Sequence, residues 1–270
     1  MRNLIAILAV AALAAMGTSC NKLQSRDHLN KGVQSFTNAQ YPEAVEHFKT
    51  AVELDPGFAT ARVYLAMAYY QQFIPGAESP ENMKMAQAAL TQFNKVLELE
   101  PRNTTAIASI ASLNLNQKKW DEAQQWYEKL IAVDPQNADA YYSLGFVAWS
   151  KWYPAYGTAR AKAGMRQEDP GPIKDKKVKE ELKGKYGPVI EAGLQSLDKA
   201  LQINPEYDDA MVYENLLVRE RADLADNKEQ YEKQIKIADD WQQKALTTKK
   251  VKAERKSKTT TGGIVADPNK

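Results

Sequence analysis

Apolar and small residues between positions 120 and 135 recur at steps of three, four, three and one. The segment reads WDEAQQWYEKLIAVDP, and the members on this spacing are Trp120, Ala123, Tyr127, Leu130 and Ile131. Such a spacing places these side chains on one side of a helix. Pro135 has no amide hydrogen and its ring clashes with the preceding turn, so we expect the helix to end before it.

Three further segments repeat this order of apolar, small and apolar residues followed by a proline. The four segments end at Pro56, Pro101, Pro135 and Pro205. A second kind of helix alternates with them and carries a small residue in its middle, at Gly32, Ala66, Ala111 and Gly145. A small residue lets two helices approach closely, so the alternation predicts helical hairpins packed in series. Alternating runs of Val, Ile and Thr are missing, and we expect almost no β-sheet.

Pairs of residues at fixed offsets give the hairpin pattern a family likeness. They are Leu65–Ala66 and Leu144–Gly145 in the first helices, and Ala44–Phe48 and Ala123–Tyr127 in the second. With a period of 34 residues from Pro101 to Pro135, the chain resembles the tetratricopeptide repeat family. The resemblance implies an all-α fold, a right-handed α-solenoid of tetratricopeptide helical hairpins with two insertions. It places repeats at about 25–58, 59–103, 104–137 and 138–207, and a degraded capping unit at 208–248.

Two repeats are interrupted. The segment from residue 70 to about 83 is rich in Pro, Gly and Ser, which is typical of a loop. A larger insertion, residues 150–186, separates the two helices of the fourth repeat. Its charged last part predicts a helix that contains Val178 and Leu182. Insertions in solenoids map to one face, which is often the binding face.

The first 20 residues predict a lipoprotein-type signal peptide. An apolar run from Leu4 to Met16 follows Arg2, and it is shorter than the roughly 20 residues that span a bilayer. The small residues before Cys20 resemble a bacterial lipobox, although Gly17 stands where that motif usually has Leu. We therefore expect a lipid on Cys20, followed by a polar tether over residues 21–25. The alternative is ordinary cleavage at an Ala-x-Ala site such as residues 12–14.

The end of the chain, residues 249–270, is basic and then polar and lacks periodic apolar residues. This composition predicts disorder. The lysines and arginines of the segment either bind anionic lipid headgroups or cell-wall polymer, or simply remain in solvent.

Composition and motifs argue against several classes of function. The chain has 36 Lys and Arg against 34 Asp and Glu, a balance that does not favour nucleic acid as a ligand. His28 and His47 are its two histidines, and no acidic cluster beside them has the spacing of metal ligands, so we interpret them as ordinary helix-face residues. No phosphate-binding loop or catalytic motif occurs. We expect no enzyme activity, no cofactor, no metal and no small-molecule substrate.

The resemblance implies that the first helices of the hairpins line a concave groove that binds peptides. Transferring the family's offsets to this chain gives an apolar and aromatic lining of Phe36, Val63, Met67, Tyr70, Asn116, Tyr142, Phe146 and Trp149. The Lys and Arg set with which some family members hold a carboxylate tail is missing. We therefore expect an apolar or aromatic peptide segment as the ligand. Alternatively, the lining packs against the chain's own insertion, through Trp152, Tyr153 and Tyr156.

The resemblance as a whole implies a bacterial tetratricopeptide lipoprotein. We expect a protein-binding scaffold or adaptor that is anchored to an envelope membrane, on the outer membrane facing the periplasm. The partner would be a protein or peptide that binds the groove, the large insertion or both. Two alternatives remain open at this point: a soluble periplasmic adaptor without lipid, and a structural component of an outer-membrane assembly complex.

Overall fold

The computed structural model describes residues 2–166 and 169–261, with side chains described between residues 20 and 257 of those ranges. Over these ranges the chain forms helices joined by short connections, and no β-strand occurs. The ten helices are α1 (Arg2–Thr37), α2 (Tyr41–Leu54), α3 (Ala59–Gln72), α4 (Pro80–Leu99), α5 (Thr104–Asn116), α6 (Trp120–Val133), α7 (Ala138–Lys162), α8 (Lys176–Ile203), α9 (Asp208–Ala222) and α10 (Lys228–Thr261).

Turn residues decide where these helices end and where the next ones begin. Each of the four predicted prolines lies two residues beyond a helix; Pro101, for example, follows the end of α4 at Leu99. Asn103 then accepts a hydrogen bond from the amide of Ala106 at the start of α5. Asn137 plays the same part at the start of α7. Such caps satisfy a backbone donor that the helix itself leaves unpaired.

The chain divides into two compact units, Met1–Trp126 and Tyr127–Lys270, and the boundary between them lies within α6. In the first unit, Phe48 and Phe93 are fully buried on the second helices of two hairpins. A Cβ added to Gly32 would lie 2.4 Å from Cε1 of Phe48. The ring of Phe48 therefore occupies space that any other residue at position 32 would need, and this contact brings α1 close to α2.

The second unit uses the same arrangement between α7 and α8. A Cβ added to Gly145 would lie 2.4 Å from Cγ of the buried Leu197. The core continues along both helices to Trp152 and Ile190 and includes Ile173 from the connection between them, and all three are fully buried.

The large insertion, residues 150–186, was predicted to separate the two helices of the fourth repeat, and the structure differs. Instead, α7 continues through Pro154 to Lys162, and α8 begins at Lys176 and continues through Pro188. Only residues 163–175 connect them. Trp152, Tyr156 and Ala159 recur at helical spacing and are buried, so packing against the core outweighs the cost of a proline inside the helix.

The basic end of the chain also differs from its prediction, because α10 extends to Thr261. Two ion pairs join this extension to residues at the start of the last hairpin: Lys252 pairs with Asp208, and Arg255 contacts Glu206 at 2.8 Å. The prediction of disorder from residue 249 is therefore wrong for residues 249–261. The rest of the predicted tail lies outside the described residues.

The predicted tether after Cys20 belongs to α1. Ser25 is fully buried and its hydroxyl donates a hydrogen bond of 2.7 Å to the carbonyl oxygen of Ala51. Residues 21–25 are thus part of the first hairpin. In the part of the chain that the structure describes, no helix is both long and apolar enough to cross a membrane. Cleavage of the signal segment and lipidation of Cys20 stay predictions.

Candidate protein-binding site

Helix α7 carries the predicted groove residues of the second unit along one side. Tyr142, Phe146, Trp149 and Tyr153 follow one another at steps of four, three and four, which aligns them on a helix. Each of the four side chains is partly buried. Trp149 stacks on Tyr153, with ring centres 4.8 Å apart and an interplanar angle of 25°.

Two tyrosines at the start of the last hairpin complete this surface. The ring of Tyr213 on α9 lies 5.8 Å from Tyr142, 5.3 Å from Phe146 and 5.5 Å from Trp149. Tyr207 lies 4.9 Å from Tyr142. We call these six side chains the aromatic face: Tyr142, Phe146, Trp149, Tyr153, Tyr207 and Tyr213. Tyr207 and Tyr213 were not predicted, and applying the groove offsets to the last hairpin would have given Val212, Leu216 and Arg219 instead.

Polar contacts fix the edges of the aromatic face. The indole nitrogen of Trp149 donates a hydrogen bond of 3.0 Å to Oε1 of Glu220, and the hydroxyl of Tyr207 donates one of 2.8 Å to Asp139. Burial raises the pKa of Glu220 to about 7, although the hydrogen bond from Trp149 opposes this shift. Burial also raises the pKa of Tyr142, so its hydroxyl keeps its proton as a possible donor. The face therefore combines fixed aromatic rings with hydrogen-bonding groups.

Two of the three predicted insertion contacts lie in the core. Trp152 is fully buried, and the hydroxyl of Tyr156 donates a hydrogen bond of 2.9 Å to Asp223. Arg160 pairs with the same carboxylate and also donates to the carbonyl oxygens of Arg166 and Asp169, at 2.6 Å each. Burial raises the pKa of Asp223, and the charge of Arg160 opposes the rise. These contacts hold the insertion in place. Of the three predicted residues, only Tyr153 belongs to the aromatic face.

The predicted groove residues of the first unit form a smaller and more polar surface. Val63, Met67 and Tyr70 share one side of α3 and are partly buried. The amide nitrogen of Asn116 donates a hydrogen bond of 3.2 Å to the hydroxyl of Tyr70, which lies 2.6 Å from Oγ of Ser112. One donor of the predicted polar handle at Asn116 is therefore used within the chain.

Phe36, the remaining predicted groove residue, packs within its own part of the first unit. Its ring makes edge contacts with Tyr41 at 5.3 Å and with Tyr64 at 6.2 Å. The structure thus brings Phe36 into an aromatic cluster of the first two hairpins, and it is partly buried there.

The loop of residues 73–79 presents an apolar side chain that the sequence did not point to. Asn82 is buried, and its side chain binds both backbone groups of Ile74, at 2.7 and 2.8 Å, and the carbonyl oxygen of Ala77. Ile74 is nevertheless 65% exposed, and the neighbouring Met83 is 41% exposed. A cavity of about 390 Å³ is lined by Met83, Lys118 and Lys119, among others.

Comparison with known proteins agrees with this architecture. Residues 36–74 match the family model described as tetratricopeptide repeat, and residues 115–151 match a second model described as TPR repeat. These two segments are therefore similar to tetratricopeptide repeats. The prediction of an all-α fold built of such repeats is confirmed.

Relatives with known names match part of the chain. Mitochondrial import receptor subunit TOM70 of Rattus norvegicus is 31% identical over 105 residues, which cover 39% of this chain and 17% of that protein. Hsp70-Hsp90 organizing protein 3 of Arabidopsis thaliana is 28% identical over 43% of this chain and 19% of its own length. The matched region thus spans less than a fifth of either relative.

Among solved structures, the crystal structure of MamA protein covers 86% of this chain and 94% of its own chain. Its TM-score is 0.59 and its sequence identity is 16%. At this identity, the likeness concerns the fold alone.

Proposed function

We propose that this chain is a protein-binding scaffold that captures an apolar or aromatic peptide segment on its aromatic face. The observation that carries the proposal is the arrangement of six partly buried aromatic side chains from α7 and from the start of the last hairpin. Aromatic rings that are held rigidly and edged by hydrogen-bonding groups are typical anchors of protein interfaces. The names of the two relatives, an import receptor subunit and an organizing protein, are consistent with binding of other proteins.

A photo-crosslinking experiment tests the aromatic face directly. A photoreactive phenylalanine analogue replaces Phe146 in one variant, and it replaces Ile237 in a control variant, because Ile237 is exposed on α10 and is not part of the face. We expect the analogue at position 146 to crosslink a defined partner in native cells, and the analogue at position 237 not to do so. The crosslink should disappear when Tyr142→Ala and Trp149→Ala are combined.

The double substitution must leave the fold intact for this result to count, which far-ultraviolet circular dichroism measures. Equal crosslinking by the folded double variant, or by the variant with the analogue at position 237, would show that the aromatic face is not the binding surface.

We also propose that a lipid on Cys20 anchors the scaffold to a bacterial envelope membrane, facing the periplasm. The lone cysteine after small residues and an apolar run supports this, and Cys20 is exposed and free in the structure. Metabolic labelling with palmitate should mark the chain and should be lost in Cys20→Ser. A labelled Cys20→Ser variant, or an unlabelled natural chain in the soluble periplasmic fraction, would favour the soluble adaptor instead.

A further inference from the structure

The two histidines of the chain meet between α1 and α2. His28 and His47 are 19 positions apart, and their Nδ1 atoms lie 3.4 Å from each other. Their ring centres are 5.6 Å apart, with an interplanar angle of 48°. Both side chains are partly buried, so they are held by the hairpin but remain accessible to small ions.

The distance between the nitrogen atoms suits two ligands of one metal ion. Without an ion, the two nitrogens share a long hydrogen bond, whose donor depends on the tautomers of the two rings. Two imidazole nitrogens bound to a tetrahedral zinc ion at about 2.0–2.1 Å lie about 3.4 Å apart, with ring centres about 5 Å apart. We propose that His28 and His47 bind a divalent transition-metal ion such as Zn²⁺, Cu²⁺ or Ni²⁺ through their Nδ1 atoms.

Packing on both sides of the pair fixes the separation of the two helices. About one turn before His28, Ser25 donates its hydrogen bond to the carbonyl oxygen of Ala51. About one turn after His28, Gly32 receives the ring of Phe48, which is the neighbour of His47. The two imidazoles are therefore placed by the core of the hairpin before any ion binds, which lowers the cost of organising a metal site.

The protein supplies two ligands to this site, and water completes the coordination. Asp27 is adjacent to His28, but its carboxylate contacts Lys31 at 2.7 Å. Among the described residues, no group of three or more His, Cys, Asp or Glu side chains could hold a metal ion. Imidazole suits zinc, copper and nickel, whereas magnesium prefers oxygen ligands. The bound ion would cross-link α1 to α2, so it would stabilise the first hairpin by mass action.

Titration of the untagged full chain with CuCl₂ tests the proposal. The chain carries Cys20→Ser, because a free thiol would bind the same ions. We expect one Cu²⁺ per chain, and pulsed electron paramagnetic resonance should show two coordinated imidazole nitrogens. Zn²⁺ should raise the melting temperature and Mg²⁺ should leave it unchanged.

Variants then assign the ligands. His28→Asn and His47→Asn should each reduce the number of coordinated imidazoles and weaken binding at least about tenfold. Asp27→Asn is the matched control and should bind Cu²⁺ as the parent chain does. A chain that does not bind Cu²⁺, or binding that survives in the folded double histidine variant, would overturn the proposal. Such a failure would leave the proposed aromatic face untouched, because that face lies in the other unit.

Discussion

The two insertions that interrupt the repeat pattern adopt different structures: one is a loop, and most of the other is helical. Residues 73–79 stay outside the helices, and this short loop leaves Ile74 in solvent. The larger insertion is taken up by α7 and α8, and its Ile173 is fully buried. Apolar residues recur at helical spacing in the larger insertion, whereas the shorter one is rich in Pro, Gly and Ser. An insertion can therefore enlarge the core or the surface of a repeat, and its pattern of apolar residues decides which.

The largest effect should come from the buried ion pair that holds the large insertion. Asp223→Ala would leave the buried guanidinium of Arg160 without its carboxylate and would remove the acceptor of Tyr156. We expect a loss of about 3–5 kcal/mol in the free energy of unfolding, measured by urea denaturation. Arg166→Ala is the control, because its exposed pair with Asp169 should contribute less than about 1 kcal/mol. Equal losses in the two variants would refute this assignment.

The isoleucines of the two interruptions form a matched pair. Ile173→Ala should reduce the free energy of unfolding by about 2–5 kcal/mol, because it opens a cavity in the core. Ile74→Ala should change it by less than about 0.5 kcal/mol, because the side chain is exposed. Thermal and urea denaturation of both variants measure the difference. Similar losses would mean that the short loop also packs as core.

A buried carboxyl group of the second unit should make stability depend on pH. Burial raises the pKa of Glu214 from 4.5 to about 8. Between these values the folded chain keeps a proton that the unfolded chain releases, so stability falls as the pH rises. Glu214→Gln should reduce that fall by on the order of 2 kcal/mol between about pH 5 and about pH 8. Urea denaturation at several pH values in this range measures the fall in the free energy of unfolding, with Glu53→Gln, at an exposed position, as the control. An unchanged pH dependence in Glu214→Gln would contradict the raised pKa of Glu214.

The smallest change in stability should come from two glycines of α7, one in its repeat part and one in the part that the insertion forms. Gly145→Ala should cost about 1–2 kcal/mol, because the new methyl group would meet Leu197. Gly157→Ala on the same helix should stabilise the chain by about 0.5–1 kcal/mol, because nothing lies within 4 Å of the added Cβ. Melting temperatures of the two variants should therefore move in opposite directions. A shift of both in the same direction would show that α7 packs alike along its length.

Local signals predicted the hairpins well, because a proline stop or a cap acts within a few residues. Positions of the prolines gave the ends of α2, α4, α6 and α8. Prediction failed where distant residues decide, as for Arg160 and Asp223, which are 63 positions apart. Pro154 and Pro188 lie inside α7 and α8, because tertiary packing there outweighs the usual cost of a proline in a helix. The ion pairs of Lys252 and Arg255 likewise join residues more than 40 positions apart, in a polar segment that has no apolar period of its own.

The burial of Ser25 has a mechanical consequence for the proposed anchor. Only five positions separate it from Cys20, and a helix rises about 1.5 Å per residue. A lipid on that sulfur would therefore lie within about 8 Å of the packed first hairpin, because the residues between Cys20 and Ser25 are helical. The anchor would therefore keep the first unit close to the bilayer surface. A partner that binds the first unit would have to approach it there.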